Sequence, residues 1–390
     1  MANPSPRHPI SYFRPALLAL AGAGALFACT AGEETEAAAA DPADETPVQA
    51  DAVSDAAPSG TATSDTAASA TAAVDPPAAV PAVGAAGPAP GATLFHAAEP
   101  WTESVAALPK SAASDSILGW LGDHGGWGTH TMRIEFGLKV LHVGGDVPFR
   151  SFTPTEDFYT PDCDNVPFPV PPGGALEDED GYTCTTDGDC HLIVVHEPSQ
   201  KLYEMWRANI QGDDFKGGCV AVWDLNRSYP GGRGDNCTSA DAGGFPVSAM
   251  VFTADEVAKG SIDHALRFIL PNNRIRRGVY VLPASHASDS LHGGPDAPPY
   301  GVRFRLRADY PLETLPSDGA RVVARALQKY GMILADGGRV PLTAADDRFT
   351  EHKWSEVGVG SESLAALGVA DMEVVGLGEP IKATGDCERK

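Results

Sequence analysis

Short apolar runs broken by glycine and proline fill the C-terminal three-quarters of this chain, and they restrict it to β-rich architectures. The 390 residues include 42 Gly and 33 Pro. Proline breaks helix interiors and cannot donate to a central sheet ladder, and interior glycine weakens both kinds of element. The runs that survive are short and β-like: 131–143, 191–195, 201–207, 219–225, 264–270, 279–282, 302–307 and 332–335. This pattern predicts a mainly β fold, an antiparallel sandwich or barrel-like domain with one or two packed helices. The convincing helix is 317–330, capped by Ser317, striped by Val322, Val323, Ala326, Leu327 and Tyr330, and stopped by Gly331. Thr253 and Glu256 form a capping box for a short turn ended by Gly260, and 361–367 is a third helical candidate. Segment 154–181, rich in Pro, Gly and acids, reads as a surface excursion.

The N-terminus reads as an export signal. Residues 1–15 carry Arg7 and Arg14 without an acid, and 16–28 are apolar. That core is too short for a permanent membrane span. It ends Leu26-Phe27-Ala28-Cys29, which resembles a lipobox, so 1–28 is expected to be a lipoprotein signal peptide and Cys29 the lipidated residue. Thr30 at the next position points to the outer membrane or cell surface. Residues 29–93 are mostly Ala, Pro, Asp, Glu, Ser and Thr, with no Lys or Arg. Such a segment buries too little to offset its ordering entropy, so a disordered tether of roughly 40–45 Å is expected. A single globular domain then occupies 94–390. The net charge of −24 argues against nucleic-acid binding.

Setting Cys29 aside leaves Cys163, Cys184, Cys190, Cys219, Cys237 and Cys387, an even count that suits disulfides in an exported chain. Cys184 and Cys190 form a local pair. Cys219 with Cys237, and Cys163 with Cys387, are the remaining guesses. No Cys-x₂-Cys supports zinc.

The candidate chemistry starts at a hairpin. With a turn at 197–200, Ile193 lies opposite Glu204, Val195 opposite Leu202 and His191 opposite Trp206, so His191, Glu204 and Trp206 share a face. A carboxyl beside an indole plate suits glycan chemistry, with Glu204 as general acid and Trp206 stacking the sugar. Asp241, in the small-residue loop Thr238-Ser239-Ala240-Asp241-Ala242-Gly243-Gly244, is the candidate base or nucleophile. Small residues there would let backbone approach a ligand. His191 and His264 would orient the catalytic groups, and His286, Arg303 and Arg305 are candidate substrate contacts. The rival reading, a non-catalytic envelope domain, expects these acids far apart or paired to arginines such as Arg303 and Arg305. A metal enzyme would need His191, His264 and His286 to converge, with no tight spacing to support it. Asp187-Gly188-Asp189 and the acidic run 177–180 lack an EF-hand pattern. No cofactor or metal is expected. Lipase-type Gly-x-Ser-x-Gly, P-loop, dinucleotide and His-Glu-x-x-His signatures do not occur.

From about Ser114 to Val375 the chain resembles a family of uncharacterised secreted bacterial proteins. The shared pieces include Asp189-Cys190-His191-Leu192-Ile193-Val194, Leu202-Tyr203-Glu204, the 238–243 loop, His264-Ala265-Leu266-Arg267-Phe268, Pro283-Ala284-Ser285-His286, Arg303-Phe304-Arg305-Leu306 and Tyr330-Gly331-Met332-Ile333-Leu334-Ala335-Asp336. The chain departs at Asp336-Gly337-Gly338, where that family reads Asn-Gly after Ala-Asp, and at Asp346-Asp347-Arg348-Phe349, where flanking tryptophans are missing. The resemblance implies a setting of polysaccharide-degrading secreted proteins, and a polysaccharide or cell-surface glycan as partner.

Overall fold

In the computed structural model, residues 94–186 and 188–390 are described. The expected signal peptide, Cys29, the tether and Asp187 lie outside them. No helix among the described residues is long and apolar enough to cross a membrane.

The fold is mainly β. Its largest sheet has six strands, in spatial order Ile134–Leu138, Leu342–Ala345, Leu266–Leu270, Met332–Gly337, Arg303–Leu306 and Met372–Val375. The sheet is mixed. Ile134–Leu138 runs parallel to Leu342–Ala345, and Leu266–Leu270 parallel to Met332–Gly337, while the other neighbours are antiparallel. The helix Asp318–Lys329 connects two antiparallel neighbours. Ser317 Oγ accepts from the Ala320 N–H, and the apolar stripe of Val322, Val323, Ala326 and Leu327 is buried. Gly331 follows at φ 72°, where a Cβ would lie 2.4 Å from the Phe304 carbonyl oxygen. Thr253 and Glu256 close the expected capping box ahead of Ala254–Lys259. Residues 361–367 form turns instead of a helix, and two helices not foreseen are Ser114–Asp123 and the single turn Trp354–Val357.

A second sheet has four strands, in order Val220–Asp224, Lys201–Met205, Leu192–His196 and Val140–Val143. The hairpin has the expected register, with Ile193 opposite Glu204 and Val195 opposite Leu202. Both faces of this sheet are buried. Ile193, Val195, Leu202, Ala221 and Trp223 face the main core. Leu192, Val194, Tyr203, Met205 and Val220 face a second core with Phe168, Val170, Leu176 and Phe215. Segment 154–181 is therefore no surface excursion throughout, because Phe168, Val170 and Leu176 close that second core.

Three disulfides staple the fold. Cys184–Cys190 is the expected local bridge. The other two guesses are corrected: Cys163 pairs with Cys219, and Cys237 with Cys387. The second of these holds the C-terminal tail, whose strand Glu388–Arg389 pairs with Pro230–Asp235.

Candidate functional site

A row of polar side chains crosses four neighbouring strands of the six-stranded sheet. Glu135 pairs in register with Thr343, and the Thr343 hydroxyl donates to Glu135 Oε1 at 3.3 Å. Arg267 Nη1 donates to Thr343 Oγ1 at 3.0 Å, and its Nη2 reaches Asp336 Oδ2 at 3.2 Å. The meeting of Arg267 with Asp336 depends on an irregularity. Register runs Phe268 to Leu334 and then Ile269 to Asp336, so Ala335 is an extra residue. Without that bulge Asp336 would project from the face opposite Arg267.

The 238–244 loop lies over this row and delivers Asp241. Arg267 grips the carboxylate through Nε and Nη2, at 3.2 and 3.1 Å. Two imidazole contacts, one from buried His191 and one from half-buried His286, fix the loop backbone. His191 Nε2 donates to the Ala240 carbonyl at 2.8 Å while its Nδ1 pairs with Glu177 at 2.7 Å. Burial opposes a charge on His191, but Glu177 outweighs burial and holds the imidazole protonated up to about pH 10. Burial likewise opposes ionisation of Glu177, and the charge of His191 overrides it. Next along the loop, His286 Nδ1 donates to the Ala242 carbonyl at 2.8 Å. Gly243 and Gly244 serve packing against protein. A Cβ on Gly243 would lie 2.6 Å from the Ala335 carbonyl oxygen, and one on Gly244 2.0 Å from Ser285 Oγ. The expectation that these glycines admit a ligand to the backbone is corrected accordingly.

Above the loop opens a cleft of about 280 Å³, lined by Asp189, Trp206, Asn272, His286, Ser290 and Asp336 among others. Asp336 keeps 17 % of its side chain exposed, whereas Asp241 beneath it is fully covered. Burial first, and then the charge of Asp241, push the Asp336 carboxyl well above the usual carboxylate range. One arginine faces two carboxyl groups here, so retaining a proton on Asp336 avoids an uncompensated buried charge. Trp206 Nε1 donates to Asp189 Oδ1 at 2.8 Å, and the Arg207 guanidinium covers the indole at 4.8 Å.

Several expected site residues have other work. Glu204 is fully buried and does not line the cleft. Its Oε1 accepts from the Ser248 N–H and hydroxyl, both at 2.9 Å, and its Oε2 from Trp223 Nε1 and the Val247 N–H, both at 3.1 Å. Burial pushes its pKa up, and the Ser248 and Val247 donors, with the charge of His191, oppose the shift. It fastens the hairpin to the Val247–Met250 turn, and no substrate reaches it. Asp241 is equally inaccessible, so neither foreseen acid can touch a ligand, and the arginine that pairs Asp241 is Arg267. His264 lies away from the cleft, bound to Glu256 at 3.1 Å and to the Ala265 carbonyl at 2.8 Å. Arg303 and Arg305 donate to the carbonyls of Pro100, Glu103, Val105, Ala106 and Leu108, pinning that segment to the sheet edge instead of binding substrate. His191, His264 and His286 do not converge, each being committed to a different partner. Among the described residues the one group of ligating atoms near enough to share an ion is Glu179, Cys184 and Cys190, and its two sulfurs are bonded to each other.

Trp206 and His286, of the expected site residues, line the cleft. Asp336 was missed as an acid. Its signal was an acid closing the apolar run Met332-Ile333-Leu334-Ala335, a strand end from which side chains commonly enter loops and sites. No protein-family model, curated protein or solved structure matches the chain.

Proposed function

We propose that the cleft binds a glycan and hydrolyses it, with Asp336 as the proton donor to the leaving oxygen and Trp206 as the sugar platform. One observation carries the reading: a carboxyl at the floor of an open polar cleft, over a buried Asp241–Arg267 pair, where burial and Asp241 raise its pKa. A general acid needs its proton at working pH, and desolvation beside a second carboxylate supplies that condition. The hydroxyl and amide groups of Tyr159, Asn272, Ser288 and Ser290 suit a polyol. An export signal and a lipid on Cys29 would place such a domain at the cell envelope, near glycans. The alternative, a binding domain without catalysis, is favoured by the burial of both Glu204 and Asp241.

The test incubates the protein with soluble glucans, xylan and arabinan and measures new reducing ends, with Asp336→Asn and Trp206→Ala beside the wild type. The expected result is turnover that falls about 10²–10⁴-fold in Asp336→Asn. In Trp206→Ala, binding should weaken by about tenfold. Binding without any cleavage would select the non-catalytic reading, and neither binding nor cleavage would end the glycan proposal.

A further inference from the structure

Resting on the hydrolytic reading, we propose that His286 is the proton acceptor of the site, and that it activates the attacking water opposite Asp336. Both side chains line the same cleft, and both are anchored on one residue. The Ala242 N–H donates to Asp336 Oδ2 at 3.3 Å, while the Ala242 carbonyl accepts from His286 Nδ1 at 2.8 Å. A loop clamped by His191 therefore sets the spacing between the acid and the imidazole.

The carbonyl fixes the chemistry of the ring. A carbonyl oxygen can only accept, so the hydrogen of the neutral imidazole sits on Nδ1 and the lone pair on Nε2. Among the described residues no hydrogen bond occupies Nε2. The same logic makes His191 unsuitable as a base, because both of its nitrogens are engaged and Glu177 keeps it charged. The other titratable groups facing the cleft are Tyr159, Asp189, Tyr300 and Asp336. Asp189 is tied to the Trp206 indole, and Tyr300 is raised well above the usual phenol range, by burial first and then by the neighbouring acids.

The step balances. Water attacks the anomeric carbon and passes a proton to His286 Nε2. The bond from that carbon to the leaving oxygen breaks, and Asp336 protonates that oxygen. The imidazolium then loses its proton to solvent, and the Asp336 carboxylate regains one. Direct attack by water inverts the anomeric centre.

The experiment compares the wild type with His286→Asn and His286→Gln on whichever test glycan the protein cleaves. Asparagine places an N–H where Nδ1 stood and can keep the bond to Ala242, so a purely structural role would be rescued. The proposal expects melting of His286→Asn near the wild type and turnover down about 10²–10⁴-fold. It also expects proton NMR of the first product to show an inverted anomer. Wild-type turnover in His286→Asn, or a retained anomer, overturns the assignment to His286 while the hydrolase reading stands. If His286→Asn fails to fold, ¹⁵N NMR of the wild-type imidazole decides: a protonated Nε2 with a bare Nδ1 at pH 8 overturns the proposal, and a bare Nε2 supports it. Absence of any cleavage across the glycans overturns both.

Discussion

Replacing Glu204 by glutamine deletes no atom from the fold, yet it reverses half of the hydrogen bonding in a sealed pocket. Each carboxylate oxygen accepts two donors, Oε1 from the Ser248 N–H and hydroxyl and Oε2 from Trp223 and the Val247 N–H. If Oε2 becomes the amide NH₂, the Trp223 and Val247 N–H groups both face a donor; if Oε1 does, the Ser248 hydroxyl can turn to accept and only the Ser248 N–H faces a donor. No water reaches either group, because the residue is 0 % exposed. An unsatisfied buried polar group costs about 1–3 kcal/mol, so one or two give roughly 1–6 kcal/mol. At about 2–4 °C per kcal/mol for a domain of this size, the melting temperature should fall by roughly 2–20 °C. Thermal unfolding followed by circular dichroism measures this, with activity assayed well below the lower transition. Glu204→Gln should retain wild-type turnover per folded molecule. A melting temperature within about 2 °C of the wild type, together with lost turnover, would refute the structural assignment and return Glu204 to the chemistry.

The pH dependence of stability should run downward from mildly acid conditions. Burial raises Glu135 from 4.5 to about 7, so its contribution is complete below pH 4.5 and is lost as pH rises through 7, about 3 kcal/mol at 1.36 kcal/mol per unit. Glu135→Gln should remove that step from urea midpoints measured between pH 5 and 8, and a midpoint that rises over this range in the wild type would contradict the sign. His191, raised from 6.5 to about 10, has the same sign in a later window, so His191→Gln should flatten the loss between pH 7 and 10. Replacing Cys237 and Cys387 together by serine opens a loop spanning 150 residues and should cost up to about 5 kcal/mol, with the tail after Ile381 becoming protease-sensitive. Peptide mapping without reductant should find Cys163 linked to Cys219, and a Cys163–Cys387 peptide would contradict the fold's covalent frame.

What was legible in the sequence was local. The Glu197-Pro198-Ser199-Gln200 turn fixes the hairpin, and Gln200 takes a left-handed conformation there, so the pairing of Ile193 with Glu204 followed from counting. The Thr253 capping box and the Ser317 cap were legible for the same reason. The environment of the hairpin differs from the expectation that the face shared by His191, Glu204 and Trp206 meets a glycan. The unbroken run Leu192-Ile193-Val194-Val195 is instead the mark of a strand covered on both faces. That run already implied a buried Glu204, since the residue opposite Ile193 cannot face water when Ile193 does not.

The acid of the cleft depends on contacts that no local pattern announces. Asp241, Arg267 and Asp336 come from three distant segments, and two of them meet because of a single extra residue at Ala335. The same bulge explains why an alanine precedes the acid. Ala335 is fully buried, and its carbonyl receives the Gly243 N–H at 2.8 Å, so the extra residue also docks the loop that carries Asp241. One irregularity thus turns Asp336 toward Arg267 and seats Asp241 beside it. The raised pKa of Asp336 follows from that placement, because burial under the loop, and after it the charge of Asp241, act on Asp336 only while the loop stays docked. Undocking the loop should therefore lower the Asp336 pKa and release the Ala242 contact to His286 together, which couples the acid and the proposed base to one structural event.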